Sequence, residues 1–310
     1  MGVSYTDSGT RVAAGEASAY GPVGRSPWLE VDWREHQRWV MVDGRPINTI
    51  ELGQGPALVF VHGLSGSWPN WLEQLPAFAG ERRVVTLDLP GFGHSPMPSG
   101  DISMTGYARL LDRLFDQLGI DTAVVVGNSM GGFIAAELAV AFPQRVERLV
   151  LVSAAGISTY RDLRRARVLH TLQRGERVLT AGGAWFASRS DAMARRSRLR
   201  EAALGLVVRH PARLPAAVAA EQIRGAGTPG FMPALASILG RDVRERLSEV
   251  ACPTLIVWGE DDKLINVADA DVFAELIPGS RKVIFEDTGH MAMLERPAAF
   301  NALLRDFLSS

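Results

Sequence analysis

The stretch Asp121–Pro143 reads D-T-A-V-V-V-G-N-S-M-G-G-F-I-A-A-E-L-A-V-A-F-P. Val124 to Val126 is a short β-branched run of the kind that fills a buried parallel strand. Further on, Ile134, Leu138 and Phe142 recur at helical spacing and Pro143 stops them. Between strand and helix sits Gly127-Asn128-Ser129-Met130-Gly131. A strand that turns into a helix at a serine with a glycine two residues to either side is a nucleophile elbow. So tight a turn forces the serine to positive φ, and a side chain at either glycine would collide with its surroundings. The turn lifts the Ser129 hydroxyl clear of the sheet. It also sets it at a helix N-terminus, where free N–H groups favour developing negative charge.

Strand and helix signals alternate on both sides of this element. Upstream, Trp39–Val42 and Ile47–Leu52 form a hairpin around Asp43-Gly44. Ala57–Val61 is an apolar run ending at His62-Gly63-Leu64-Ser65-Gly66, and Arg83–Leu87 ends at Asp88-Leu89-Pro90-Gly91-Phe92-Gly93-His94-Ser95. A helix follows with Tyr107, Leu110, Leu111, Leu114 and Leu118 on one face and Gly119 as its C-cap. Downstream, Val146–Val152 and Thr254–Trp258 are strands, Val267–Leu276 a helix, Lys282–Phe285 a strand and Ala298–Leu308 a closing helix. This alternation defines an α/β chain with a mostly parallel, doubly wound sheet. Residues 157–250 break the pattern, with arginine- and alanine-rich helical segments interrupted at Gly182-Gly183, Pro211, Pro215 and Gly225–Gly230. We read residues 1–27 as a mobile N-terminal arm, 28–156 and 251–310 as the core, and 157–250 as an inserted helical cap.

Composition narrows the function classes. The 310 residues carry a formal charge of −1, which supplies no global attraction to nucleic acid or to an acidic membrane. The single cysteine, Cys252, has no internal disulfide partner, and its place before Pro253 marks a structural thiol; a cytoplasmic location is the milder expectation. No apolar run reaches membrane-spanning length, and the N-terminus lacks the basic and apolar regions of a signal peptide. Met1-Gly2 with Thr6 matches a myristoylation pattern formally, but the pattern is short.

A serine hydroxyl needs a base to accept its proton and a third group to orient that base. Among the six histidines, His290 follows Thr288-Gly289 just after the last strand, where α/β sheets present catalytic groups. His62 and His94 lie in the loops of their own motifs, and His36, His170 and His210 in the arm or cap. The acid is expected after the strand ending at Trp258, where Gly259-Glu260-Asp261-Asp262 offers Asp262, with Asp261 as its rival. Asp287 lies too near His290 in sequence and is expected to structure that turn. A tetrahedral intermediate needs two aimed N–H groups, here those of Met130, next to the serine, and Leu64, in the loop after His62-Gly63.

Taken together, the His62–Gly66, Asp88–Ser95 and Gly127–Gly132 motifs, Pro253–Gly259 with Asp262, and Gly289-His290 with Glu295 and Pro297 resemble the α/β-hydrolases of the serine, cap-bearing type over about residues 38–310. The resemblance implies an eight-stranded core sheet and a cap inserted after the sixth strand. It implies Ser129 as nucleophile, His290 as base, Asp262 as its partner, and Leu64 and Met130 as the oxyanion hole. It also implies acyl transfer on a small-molecule ester, as in carboxylesterases and lipases, with no metal and no organic cofactor. A serine at the elbow disfavours the aspartate-nucleophile epoxide hydrolases and dehalogenases. Two alternatives stand beside esterase chemistry. One is carbon–carbon bond hydrolysis of meta-cleavage products, to which Gly-Asn-Ser-Met-Gly-Gly and Asn70 are similar but from which Met291, where that branch carries Trp, departs. The other is a ligand-binding member of the fold that does not turn over.

Trp68, Ile265 and Met291 adjoin the motif loops and are the expected substrate-binding residues; Trp71, Phe133, Trp185 and Phe186 are further candidates for an apolar pocket. Arg161–Arg213 holds thirteen arginines against four acidic residues, which reads first as solvated helix faces and second as a basic attraction for acidic substrates.

Overall fold

The two strands nearest the elbow set the frame. Ala57–Val61 (β4) and Ala123–Asn128 (β6) pair in parallel and are almost wholly buried, as their unbroken apolar sequence requires. The computed structural model describes residues 10–12, 20–22, 24–158, 188–225 and 227–310. Their remaining strands are Thr10–Val12 (β1), Gln37–Val42 (β2), Arg45–Leu52 (β3), Arg83–Leu87 (β5), Val146–Val152 (β7), Thr254–Gly259 (β8) and Arg281–Phe285 (β9). They form one sheet in the order β1-β9-β8-β7-β6-β4-β5-β3-β2. All neighbours are parallel except β2–β3 and β3–β5. The β2–β3 hairpin closes on Asp43 and Gly44, both at positive φ (51° and 74°), the geometry of a two-residue turn that matches strand twist.

The sheet has nine strands where eight are expected. The additional one, β1, comes from the stretch read as an arm and pairs in parallel with the outer edge of β9. Its three residues carry no periodicity long enough to be seen in sequence. Also from that stretch, Tyr20 and Ser26 are buried, and Ser26 and the indole of buried Trp28, just beyond the stretch, both donate to the buried carboxylate of Glu73 (2.7 and 2.8 Å).

The helices of eight or more residues are Met104–Leu118 (α1), Met130–Ala141 (α2), Ser197–Leu204 (α3), Ala216–Arg224 (α4), Phe231–Leu239 (α5), Ala268–Leu276 (α6) and Pro297–Ser309 (α7). Helices α1, α2 and α6 pack on one face of the sheet and α7 on the other, giving two apolar cores separated by the strands. Gly119 closes α1 in the left-handed conformation (φ 63°), as a C-cap glycine should. Between β7 and β8 the described residues form helices and no strand. No described helix is long and apolar enough to cross a membrane. Met1, Gly2, Thr6, Asp162, His170, Trp185 and Phe186 lie outside the described residues.

Candidate active site

Ser129 sits between β6 and α2 at φ 55° and ψ −116°, a conformation that costs about 1–3 kcal/mol for a side-chain-bearing residue. Its surroundings hold it there. The Ser129 N–H donates to Val152 O (2.9 Å), and its carbonyl accepts from Ala155 N (3.0 Å) and Phe133 N (3.2 Å). The glycine requirement is steric, since a Cβ on Gly127 would lie 2.2 Å from Gly131 O and one on Gly131 would lie 2.2 Å from Val61 O. Real Cβ atoms do not approach that closely.

The chain after β9 turns through Asp287 (φ 48°), Thr288 and Gly289 to deliver His290. The His290 Nδ1 lies 2.7 Å from Asp262 Oδ2, and both side chains are almost wholly buried. The other Asp262 oxygen accepts from the N–H groups of Leu264 (2.8 Å) and Ile265 (2.9 Å). The carboxylate is therefore fixed by its own loop before it meets the imidazole, and the pairing places the ring proton on Nδ1. Asp261 turns outward to Arg209 (3.3 Å), and Asp287 faces His210 and Arg296. Of the acidic candidates, the structure thus brings Asp262 to His290.

His290 Nε2 is buried and has no hydrogen-bond partner among the described residues, and His290 and Ser129 line the same cavity. The two are not joined by a hydrogen bond; in unliganded sites such bonds are often long and close only around substrate. Leu64 also lines this cavity, and Met130 is the first residue of α2. The other motif histidines have structural partners. His62 is fully buried, with Nδ1 on Gly63 O (2.8 Å) and Nε2 accepting from Leu89 N (3.0 Å); burial pushes its pKa down, so it shapes the Gly63–Gly66 loop as a neutral ring. His94 lies beside buried Asp88, which holds the imidazole pKa above its ordinary value.

The cavity has a volume of about 640 Å³. Its wall is apolar, with Leu204, Val207, Ile223, Phe231, Leu235 and Ile238 from the segment between β7 and β8 facing Ile265 and Met291. No described lining residue is Arg, Lys, Asp or Glu. Trp68 is not among them, contrary to expectation. A 3₁₀ turn over Trp68–Trp71 swings its ring onto Trp33 (centroids 4.9 Å apart), while its N–H donates to Asp88 (2.8 Å). Trp71 is buried against Phe60 and Phe133 lies in the core, so neither lines the cavity.

Three residues that the motifs and the resemblance include without a structural role act as positioning groups. The Asn128 amide donates to Val152 O (3.1 Å) and His290 O (3.3 Å), tying the elbow strand to the histidine loop. Glu295 accepts from the N–H groups of Gly289 and Met291, on both sides of His290. Asn70 donates to Gln222 Oε1, joining the loop after Leu64 to α4 at the cavity wall. A polar residue fixed within an otherwise apolar strand, as Asn128 is, was the one local cue available.

Comparison with known proteins agrees with the fold. Residues 56–297 match the family model described as alpha/beta hydrolase fold, and the chain belongs to that family. It is 33% identical over 282 residues (86% of this chain, 67% of the relative) to a dihydrolipoyllysine-residue acetyltransferase component of the acetoin cleaving system of Cupriavidus necator. It is 28% identical over 294 residues (88% and 96%) to a 2-hydroxy-6-oxo-2,4-heptadienoate hydrolase of Pseudomonas putida. Among solved structures it resembles a bacterial membrane phospholipase A with a TM-score of 0.71 and 26% identity, covering 91% of this chain and 90% of the other.

Proposed function

We propose that this chain is a serine hydrolase that cleaves carboxylic esters of small, largely apolar molecules through an acyl-enzyme intermediate. The observation that carries the reading is the His290–Asp262 pair, whose unbonded Nε2 opens on the cavity shared with strained Ser129. Nε2 takes the Ser129 proton as Oγ bonds to the ester carbonyl carbon, and the carbonyl π electrons move to oxygen. The N–H groups of Leu64 and Met130 face that oxygen; one such donor is worth about 3–4 kcal/mol. Collapse breaks the bond to the alcohol, which departs with the proton from His290. Water then yields a proton to His290 while its oxygen bonds to the acyl carbon. Ser129 leaves with that proton and the acid is released. The sequence of steps calls on no metal and no organic cofactor.

A second reading, hydrolysis of a carbon–carbon bond, is favoured by the relative from Pseudomonas putida and by Asn70 at the cavity wall. The apolar side chains of the described wall suit the acyl chain of an ester. Turnover of short p-nitrophenyl esters should exceed turnover of a vinylogous diketo acid, and Ser129→Ala should abolish it. Faster turnover of the diketo acid overturns the ester reading. Failure of a fluorophosphonate to label Ser129 in folded protein overturns both.

A further inference from the structure

The histidine loop is gripped by nearby Glu295, which is itself held by a tyrosine far away in sequence. Glu295 is buried, and its carboxylate collects five donated hydrogen bonds from four groups. These are Gly289 N to both oxygens (3.0 and 2.9 Å), Met291 N (3.1 Å), Arg209 N (2.8 Å) and the Tyr20 hydroxyl (2.7 Å). The Tyr20 oxygen in turn accepts from His210 N (2.8 Å). Gly21 N donates to the Glu295 carbonyl (2.6 Å), so the segment holds both the backbone and the side chain of this residue. The Tyr20 ring is itself fixed, with the guanidinium groups of Arg213 and Arg296 on it (4.8 and 5.0 Å from its centroid) and His210 edge-on at 5.3 Å. Tyr20 lies outside residues 56–297, the stretch the family model matches.

We infer that Tyr20 is a positioning residue for the proposed hydrolysis: through Glu295 it holds the backbone on both sides of His290, so the N-terminal segment is part of the active-site frame. The inference rests on the reading of His290 as general base. Its logic is one of donors and acceptors. An ionised carboxylate accepts from all four groups at once, whereas a protonated one must donate and loses capacity for the two loop N–H groups. Burial holds the Glu295 pKa above the ordinary carboxylate value, and the hydrogen bonds from Gly289, Arg209, Tyr20 and Met291 oppose that push without cancelling it. Removing the tyrosine hydroxyl removes one opposing bond, so Glu295 takes up a proton at higher pH. The charged or titratable groups around it are Tyr20 from the N-terminal segment, Arg209, His210 and Arg213 from the stretch before α4, and Asp287, His290 and Arg296 from its own side.

The test uses the full chain and p-nitrophenyl butyrate between pH 5 and 9, with thermal melts to establish that each variant folds. Tyr20→Phe keeps the ring and removes one oxygen. It should lower kcat about 5- to 20-fold near pH 6 with KM changed less than twofold, move the acid limb of the profile upward, and recover at high pH. Glu295→Gln should lower kcat at every pH, and Tyr20→Phe added to it should lower kcat no further. A Tyr20→Phe profile that coincides with wild type, or effects that multiply in the double variant, overturns the inference while leaving the hydrolase reading intact. A wild-type chain that neither turns over esters nor labels with a fluorophosphonate sinks the hydrolase reading, and this inference with it.

Discussion

Asn128 holds His290 by its backbone: the amide of the residue just before the elbow serine donates to the carbonyl of His290 at 3.3 Å. The same amide donates to Val152 O at 3.1 Å, so a single buried side chain spans the elbow strand, the neighbouring strand and the histidine loop. Asp262 fixes the rotation of the imidazole, and Asn128 fixes where its backbone stands relative to Ser129. Asn128→Ala should therefore lower kcat by about 10- to 100-fold, the scale expected of a misplacement near 1 Å. The Nδ1–Asp262 bond should survive, visible as an unchanged downfield imidazole proton by NMR. Wild-type kcat in this variant would show that the loop needs no such tie.

Strain at Ser129 gives a prediction of opposite sign for stability and activity. The residue sits at φ 55° and ψ −116°, which glycine adopts freely and serine or alanine does not. Ser129→Gly should raise stability by about 1–2 kcal/mol, a melting-temperature gain of about 2–3 °C at this chain length, while ester turnover is lost. Ser129→Ala should lose turnover equally and leave the melting temperature within about a degree. Calorimetry on both variants separates relief of strain from loss of the hydroxyl.

How far the site was legible follows from how local its causes are. Gly127 and Gly131 are readable because the collisions that require them lie within the turn and the adjoining strand end. That Asp262 and His290 meet is readable from order, since each follows a strand of a parallel sheet and strand ends of that kind gather along one edge. Trp68 is misread as a cavity residue because an indole beside a motif loop is equally suited to a pocket or a packed surface. The direction of the 3₁₀ turn decides, and that turn depends on Asp88 holding Trp68 N. Tyr20 and β1 were beyond reach for another reason. Each acts through a partner more than 250 residues away, Glu295 or β9, and no periodicity within the segment records such a contact.

Asp88 yields a pH prediction. It is fully buried and accepts from Asn48 Nδ2 (2.8 Å), Trp68 N (2.8 Å) and His94 N (2.9 Å). Burial alone would raise its pKa, but the His94 side chain at 3.6 Å and the N–H groups that donate to the carboxylate outweigh burial, and the net shift is downward. A carboxylate depressed in the folded state adds stability above its unfolded pKa, about 4, and that stability is lost as pH falls through the lower folded value. His94 has the reverse sign. Its pKa is raised by Asp88, so its contribution is full below the unfolded value near 6.5 and lost as pH rises through the folded one. The pair therefore stabilises most between about pH 4 and 6.5. Asp88→Asn should cost about 2–4 kcal/mol at pH 6 in urea unfolding, since one amide oxygen replaces two acceptors for three buried donors. His94→Ala should flatten the fall in stability above about pH 6.5; an unchanged slope there would remove His94 from the account.

The cavity makes the substrate prediction. Phe231, Leu235 and Ile238 of α5 line it, as does Ala155, the residue whose N–H braces the Ser129 carbonyl. Leu235 is partly buried, so a larger side chain at its position meets the cavity before it meets the core. Leu235→Trp should occupy on the order of 60 Å³ more of the space open to an acyl chain, about two methylene groups, each worth about 0.8 kcal/mol of binding when buried. Across p-nitrophenyl esters from acetate to dodecanoate, the optimum of kcat/KM should move about two carbons shorter. Acetate turnover should stay within a factor of three, because the bulk is added away from Ser129 and His290. An optimum that does not move would place the acyl chain elsewhere in the cavity, against Leu204, Val207, Ile265 and Met291, where Val207→Phe should then shorten it instead.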